Sequence, residues 1–102
     1  MNYRIRFTEE ADADIDRLTT FLFEQAEGNW PAVEQALKSI WAGIDHLQFS
    51  PFAYRKVDAD NPFLRELVVG FGSAGYVVLF EIRDTHNVWI IAIRHQREDD
   101  YH

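Results

Sequence analysis

Leu47-Gln48-Phe49-Ser50-Pro51 is where the pattern of this 102-residue chain changes period. Before it, apolar residues recur every three or four positions. After it, and after a stretch with no pattern, they recur every second position. Upstream, Val33, Leu37, Ile40, Ile44 and Leu47 make one helical stripe, with Pro31 in its first turn and Asn29 or Trp30 as its cap. Ala11, Ile15, Leu18, Leu22 and Ala26 make another, which Thr8 opens and Gly28 closes. These spacings predict helices near residues 9 to 26 and 31 to 49, joined closely enough to form an antiparallel hairpin. Ahead of them, Tyr3, Ile5 and Phe7 alternate with Arg4 and Arg6, as in an edge strand with one buried face.

Downstream, residues 52 to 62 read as a loop carrying Tyr54, Arg55, Lys56, Asp58 and Asp60. Strands are predicted at 64 to 71, 76 to 82 and 88 to 94. They are separated by Gly72-Ser73-Ala74-Gly75 and Asp84-Thr85-His86-Asn87, turns short enough to make an antiparallel meander. The result is an α+β chain of order β-α-α-β-β-β, one domain over residues 1–102, with the helical hairpin packed on an antiparallel sheet. Residues 76 to 80 and 88 to 93 are apolar at both parities, so both faces of the central strands ask for burial. One pair of helices covers one face. The other needs a loop, a ligand or a partner.

An apolar share of 47% with 15% aromatics is the composition of a folding chain. The absence of cysteine fits a reducing compartment. No apolar run has the length of a membrane span and no signal-peptide core precedes the first strand, so the expectation is a cytoplasmic protein without membrane contact. The net charge of −7 is concentrated early, in Glu9, Glu10, Asp12, Asp14, Asp16, Glu24 and Glu27 against Arg17 alone. Such a surface repels phosphates, and direct DNA binding is not expected.

The chain closes on Ile90-Ile91-Ala92-Ile93-Arg94-His95-Gln96-Arg97-Glu98-Asp99-Asp100-Tyr101-His102, an apolar strand running into a dense polar block. A buried strand holds the residues at its end rigidly at the rim of the fold, as a functional site requires. His95, Glu98, Asp99, Asp100 and His102 lack zinc-type spacing and an orienting outer shell, so neither a metal nor another cofactor is expected. His46 and His86 read as surface residues, and Trp30, Trp41 and Trp89 as packing.

Ala11 with Asp14-Ile15 and Leu18 resembles an Ala-x-x-Asp-Leu-x-x-Ile helix signature. Leu47 with Ser50-Pro51 and Arg55 is similar to a Leu-x-x-x-Pro motif with a following arginine. Leu64-Arg65, the aromatic strand at 76 to 82, and the ending from Ile90 to Tyr101 complete the likeness. Together they resemble the RelE/ParE superfamily of type II toxin-antitoxin toxins, with the ending favouring its ParE branch. The resemblance implies a growth-inhibiting toxin neutralised by a cognate antitoxin, acting on DNA gyrase in the ParE branch and on ribosome-bound messenger RNA in the RelE branch. Arg94, His95, Arg97 and Tyr101 are then the expected target contacts. Ile15, Leu18, Leu22, Val33, Leu37 and Trp30 are the expected antitoxin contacts.

Metal-free RNA cleavage needs an acid, a base and cations for the phosphorane. His95 and Tyr101, with Arg65, Arg94 and Arg97, supply those types. The domain is nevertheless acidic, with lysine only at 38 and 56. Contact-based poisoning of a protein target is therefore the favoured reading. A RelE-like ribonuclease, or an inactive toxin kept as an antitoxin-binding module, is the alternative.

Overall fold

The computed structural model describes residues 2–71 and 74–96. The chain runs β1 (Arg4–Phe7), α1 (Glu9–Gln25), α2 (Trp30–His46), a short 3-10 turn (Pro51–Ala53), β2 (Arg55–Asp58), β3 (Asn61–Phe71), β4 (Ala74–Ile82) and β5 (Asn87–His95). Thr8 caps α1 by accepting from Ala11 N at 3.1 Å, and Glu9, Glu10 and Asp12 sit in the first turn, where the helix dipole favours acids. Gly28, at φ +80°, lets its amide turn back to Phe23 O at 3.0 Å. Asn29, rather than Trp30, caps α2, accepting from Ala32 N at 3.4 Å. The second helix stops at His46 and not at 49, because Leu47, Gln48 and Phe49 donate to Ile44, Asp45 and His46 in tighter i to i+3 turns.

The five strands lie in the order β1-β5-β4-β3-β2. β3, β4 and β5 form the expected meander, and β1 closes the sheet in parallel beside β5. The stretch expected as a loop is corrected in part. Residues 55 to 58 pair with β3, Arg55 opposite Glu66 and Lys56 opposite Arg65, as an edge strand whose four residues are all exposed. With neither face buried there is no alternation to mark it.

Both helices pack on one face of the sheet, where Leu18, Val33, Ile40 and Leu47 meet Val78, Phe80, Val88, Ile90 and Ile93. α2 comes so close to β3 at Gly43 that a β-carbon there would lie 2.9 Å from Val69 Cγ2 and 3.1 Å from Leu67 Cδ2. The opposite face presents Val77, Leu79 and Glu81 from β4, Trp89, Ala92 and Arg94 from β5, and Glu66 and Val68 from β3. The segment from 54 to 62 does not fold over this face. It lengthens the sheet instead.

Candidate functional site

β5 carries the expected site, and its geometry turns on one extra residue. Phe80 pairs with Ile90 and Leu79 with Ala92, so Ile91 is inserted as a β-bulge. If β5 alternated strictly through Ile91 with no bulge, Ala92 and Arg94 would turn inward with Val88 and Ile90, and Ile93 and His95 outward. With it, Ile93 and His95 enter the helix-side core and Arg94 stands exposed on the opposite face. The two-parity apolar run that made both faces ask for burial is in part this change of phase.

Beyond Phe7 opposite Ile90, β1 no longer covers the outer edge of β5. The first helix takes over. Thr8 N and Oγ1 donate to Ile90 O at 3.1 and 3.2 Å. Asp14 Oδ2 accepts from Ile93 N at 3.0 Å, and Arg17 Nη2 donates to Ile93 O at 3.3 Å while holding Asp14 Oδ1 at the same distance. Asp14 and Arg17 thus do for the bulged strand what a neighbouring strand would do. They satisfy backbone groups that would otherwise be orphaned.

Among the described residues, His95 and Arg65, two of the groups named for a ribonuclease, are not gathered at one point. His95 is only 7% exposed, its ring 5.1 Å from the centroids of both Phe21 and Tyr76. The same burial pushes the Tyr76 phenol above its usual range. Arg65 lies on the helix side of β3 opposite Phe80, four strand residues, or about 13 Å, from the level of Tyr76 and His95. Its guanidinium ties the start of β3 to the turn before β2: Nε donates to Pro62 O at 2.7 Å, Nη1 to Phe52 O at 2.9 Å and to Tyr54 O at 2.7 Å, and the group lies over the Phe52 ring. His95 is thus set inside the fold by the bulge, and Arg65 is held by three carbonyls. Arg97 and Tyr101 lie outside the described residues.

Of the expected antitoxin contacts, Leu18 and Val33 are 1% exposed and belong to the chain's own core. Leu22 and Val33 line the floor of a shallow groove of about 180 Å³ between the helices, with Ala26, Ala32 and Ala36 on its walls. Ile15 and Leu37 are half-buried. Trp30 is the exposed one, at 46%, and it packs edge-on against the exposed Phe23. Phe23 lies off the apolar stripe, so the helical pattern does not mark it.

The uncovered sheet face has a character that the total charge conceals. Arg4, Arg6, Arg55, Arg83 and Arg94 line it against Glu66 and Glu81. Arg55 is paired with Glu66 and Arg83 with Glu81, each at 2.6 Å. Arg6 and Arg83 both flank the Trp89 ring, their guanidinium carbons 5.9 and 4.6 Å from its centre. In its middle, Val57, Val77, Leu79 and Ala92 form a groove of about 190 Å³ bordered by Glu66 and Arg94. The helices carry the opposite sign, nine acids against Arg17 and Lys38 between residues 9 and 46. Among the described residues, no group of three or more acids and histidines is placed to hold a metal ion, and no helix is long and apolar enough to cross a membrane.

A helical hairpin on one side of a mostly antiparallel five-stranded sheet, with a bulged strand β5, defines an α+β class. The family described as "ParE toxin of type II toxin-antitoxin system, parDE" matches residues 5–100, and the chain belongs to that family. No curated protein sequence matches it. Among solved structures it is similar to "Chromosomal ParDE TA system from P. aeruginosa", with a TM-score of 0.69 at 18% identity over 91% of this chain and 95% of that one, a likeness of fold.

Proposed function

We propose that this ParE-family chain inhibits growth by non-enzymatic contact with DNA gyrase in the cytoplasm and is neutralised by a cognate antitoxin. The observation that carries the contact-based reading is the burial of His95 between Phe21 and Tyr76, with Arg65 committed to backbone carbonyls elsewhere. A general acid or base must reach the phosphate whose charge the arginines stabilise, and a buried His95 and a carbonyl-bound Arg65 are poorly placed for that. Arg94, exposed at the end of β5, has the side chain suited to a bidentate grip on a carboxylate. For the antitoxin, the support is the groove between the helices with Trp30 and Phe23 at its rim; an arm laid there and continued around the sheet would bury more than about 2,000 Å², as in obligate complexes.

The test is induced expression together with a supercoiling assay on purified gyrase. Wild type is expected to block supercoiling, Arg94→Ala to lose at least tenfold in potency, and His95→Phe, which preserves the ring packing without a titratable nitrogen, to stay within about threefold. Cleavage of ribosome-bound messenger RNA that disappears in His95→Phe would overturn the reading in favour of a ribonuclease. Absence of any growth effect would leave an antitoxin-binding module. Trp30→Ala should weaken antitoxin binding by about thirtyfold, the scale of an interface hot spot.

A further inference from the structure

We infer that the uncovered face of the sheet is a docking surface for an acidic polypeptide segment that also carries aliphatic side chains, presented by a protein partner. The inference rests on the reading that Arg94 meets a protein and not RNA, and it holds whether or not that protein is gyrase. Three observations choose the occupant. The groove floor, Val57, Val77, Leu79 and Ala92, is wholly aliphatic, so it suits the side chains of a polypeptide. The arginines outnumber the glutamates on this face while the acids gather on the helices, so the face attracts carboxylates although the chain is acidic overall. The acidic helices lie a packed layer of roughly 10 Å away on the other face of the sheet, so the arginines are the nearer charges to anything in the groove.

The same observations disfavour nucleic acid. Glu66 borders the groove and repels phosphate, and the aromatic ring of this face, Trp89, is flanked by Arg6 and Arg83, which leaves no open platform for a base. A second copy of this chain could offer its acidic helices, but their large exposed apolar groups are the rings of Phe23, Trp30 and Trp41, which do not match a small aliphatic groove.

The experiment is an NMR titration of the purified chain with an acetylated pentapeptide alternating Glu and Leu. Saturable shifts are expected at the amides of Val77, Leu79, Ala92 and Arg94, weakening with added salt. The charge-reversal variant R94E, altered at an exposed position, should bind about tenfold more weakly, and a pentapeptide alternating Lys and Leu should prefer R94E to wild type. Equal binding of the Lys peptide to wild type, shifts confined to the α1–α2 groove, displacement from the same amides by a single-stranded oligonucleotide at lower concentration, or concentration-dependent shifts of this face without peptide would each overturn the inference. Gyrase inhibition without peptide binding would sink the docking surface and spare the proposed function. Peptide binding without gyrase inhibition would do the reverse.

Discussion

Arg65 and Arg94 sit on strands of one sheet, and each stands in a motif that resembles the same family, yet the structure uses them in opposite ways. Arg65 points to the helix side and clamps three carbonyls, those of Phe52 and Tyr54 before β2 and of Pro62 at the start of β3. Arg94 points away from the core, beside an aliphatic groove. The difference lies in the backbone around them. A guanidinium within reach of several unpaired carbonyls becomes part of the scaffold, and one on an open face becomes part of the surface a partner meets.

The strongest way to break this contrast is to insert an alanine between Ala92 and Ile93. Alternation from Ala92 onward would then turn Ile93 outward and Arg94 inward. Exposing a buried isoleucine and burying a charge should together exceed about 4 kcal/mol, and a thermal melt should show no cooperative transition. A stable, cooperatively melting insertion variant would mean the register of β5 does not set the faces. Next comes the pair itself. Arg65→Ala should cost about 2–4 kcal/mol through its three charged hydrogen bonds, lowering Tm by roughly 10–25 °C, whereas Arg94→Ala should stay within about 0.5 kcal/mol. Similar losses from both would erase the distinction between scaffold and surface.

A smaller effect sharpens how β5 is held. Asp14→Ala should cost about 1–2 kcal/mol and speed hydrogen exchange at the Ile93 amide, with Asp14→Asn between it and wild type. Unchanged protection at Ile93 would assign that edge to something other than α1. The smallest effect lies in the exposed β4–β5 turn. The Asp84 carboxylate accepts from the Asn87 side chain and from the amides of His86 and Asn87, and these bonds hold it below its ordinary value of 3.8. A depressed carboxyl contributes stability that is complete above that ordinary value and is lost as pH falls through the lower folded one. The His86 and Asn87 amide resonances should therefore move only under strongly acidic conditions, and Asp84→Asn should abolish that titration.

The helical hairpin and the meander were legible because each stripe had one buried face and a capping residue at its start, Thr8 for α1 and Asn29 for α2. β2 was not, because all four of its residues face solvent and its pairing rests on partners such as Glu66 that lie elsewhere in the chain. The site was half legible. That β5 delivers polar groups to the rim is implied by its apolar run, but Ile90-Ile91-Ala92-Ile93 contains no residue that marks a change of phase. Sequence therefore could not say that His95 is interior while Arg94 is exposed. Asp14 stands out in sequence as part of a signature, and only the structure gives its task, the Ile93 amide.

The pairing of β1 with β5 has a consequence for how the molecule comes into being. Thr8 reaches Ile91 across 83 positions of chain, so the first strand and the cap of the first helix have no sheet to join until the last strand has been synthesised. At roughly 5–20 residues per second that is a wait of several seconds or more, and such distant pairing slows folding in general. The strand that closes the sheet is also the one that presents Arg94. A chain cut short before β5 can therefore neither finish its fold nor display that arginine.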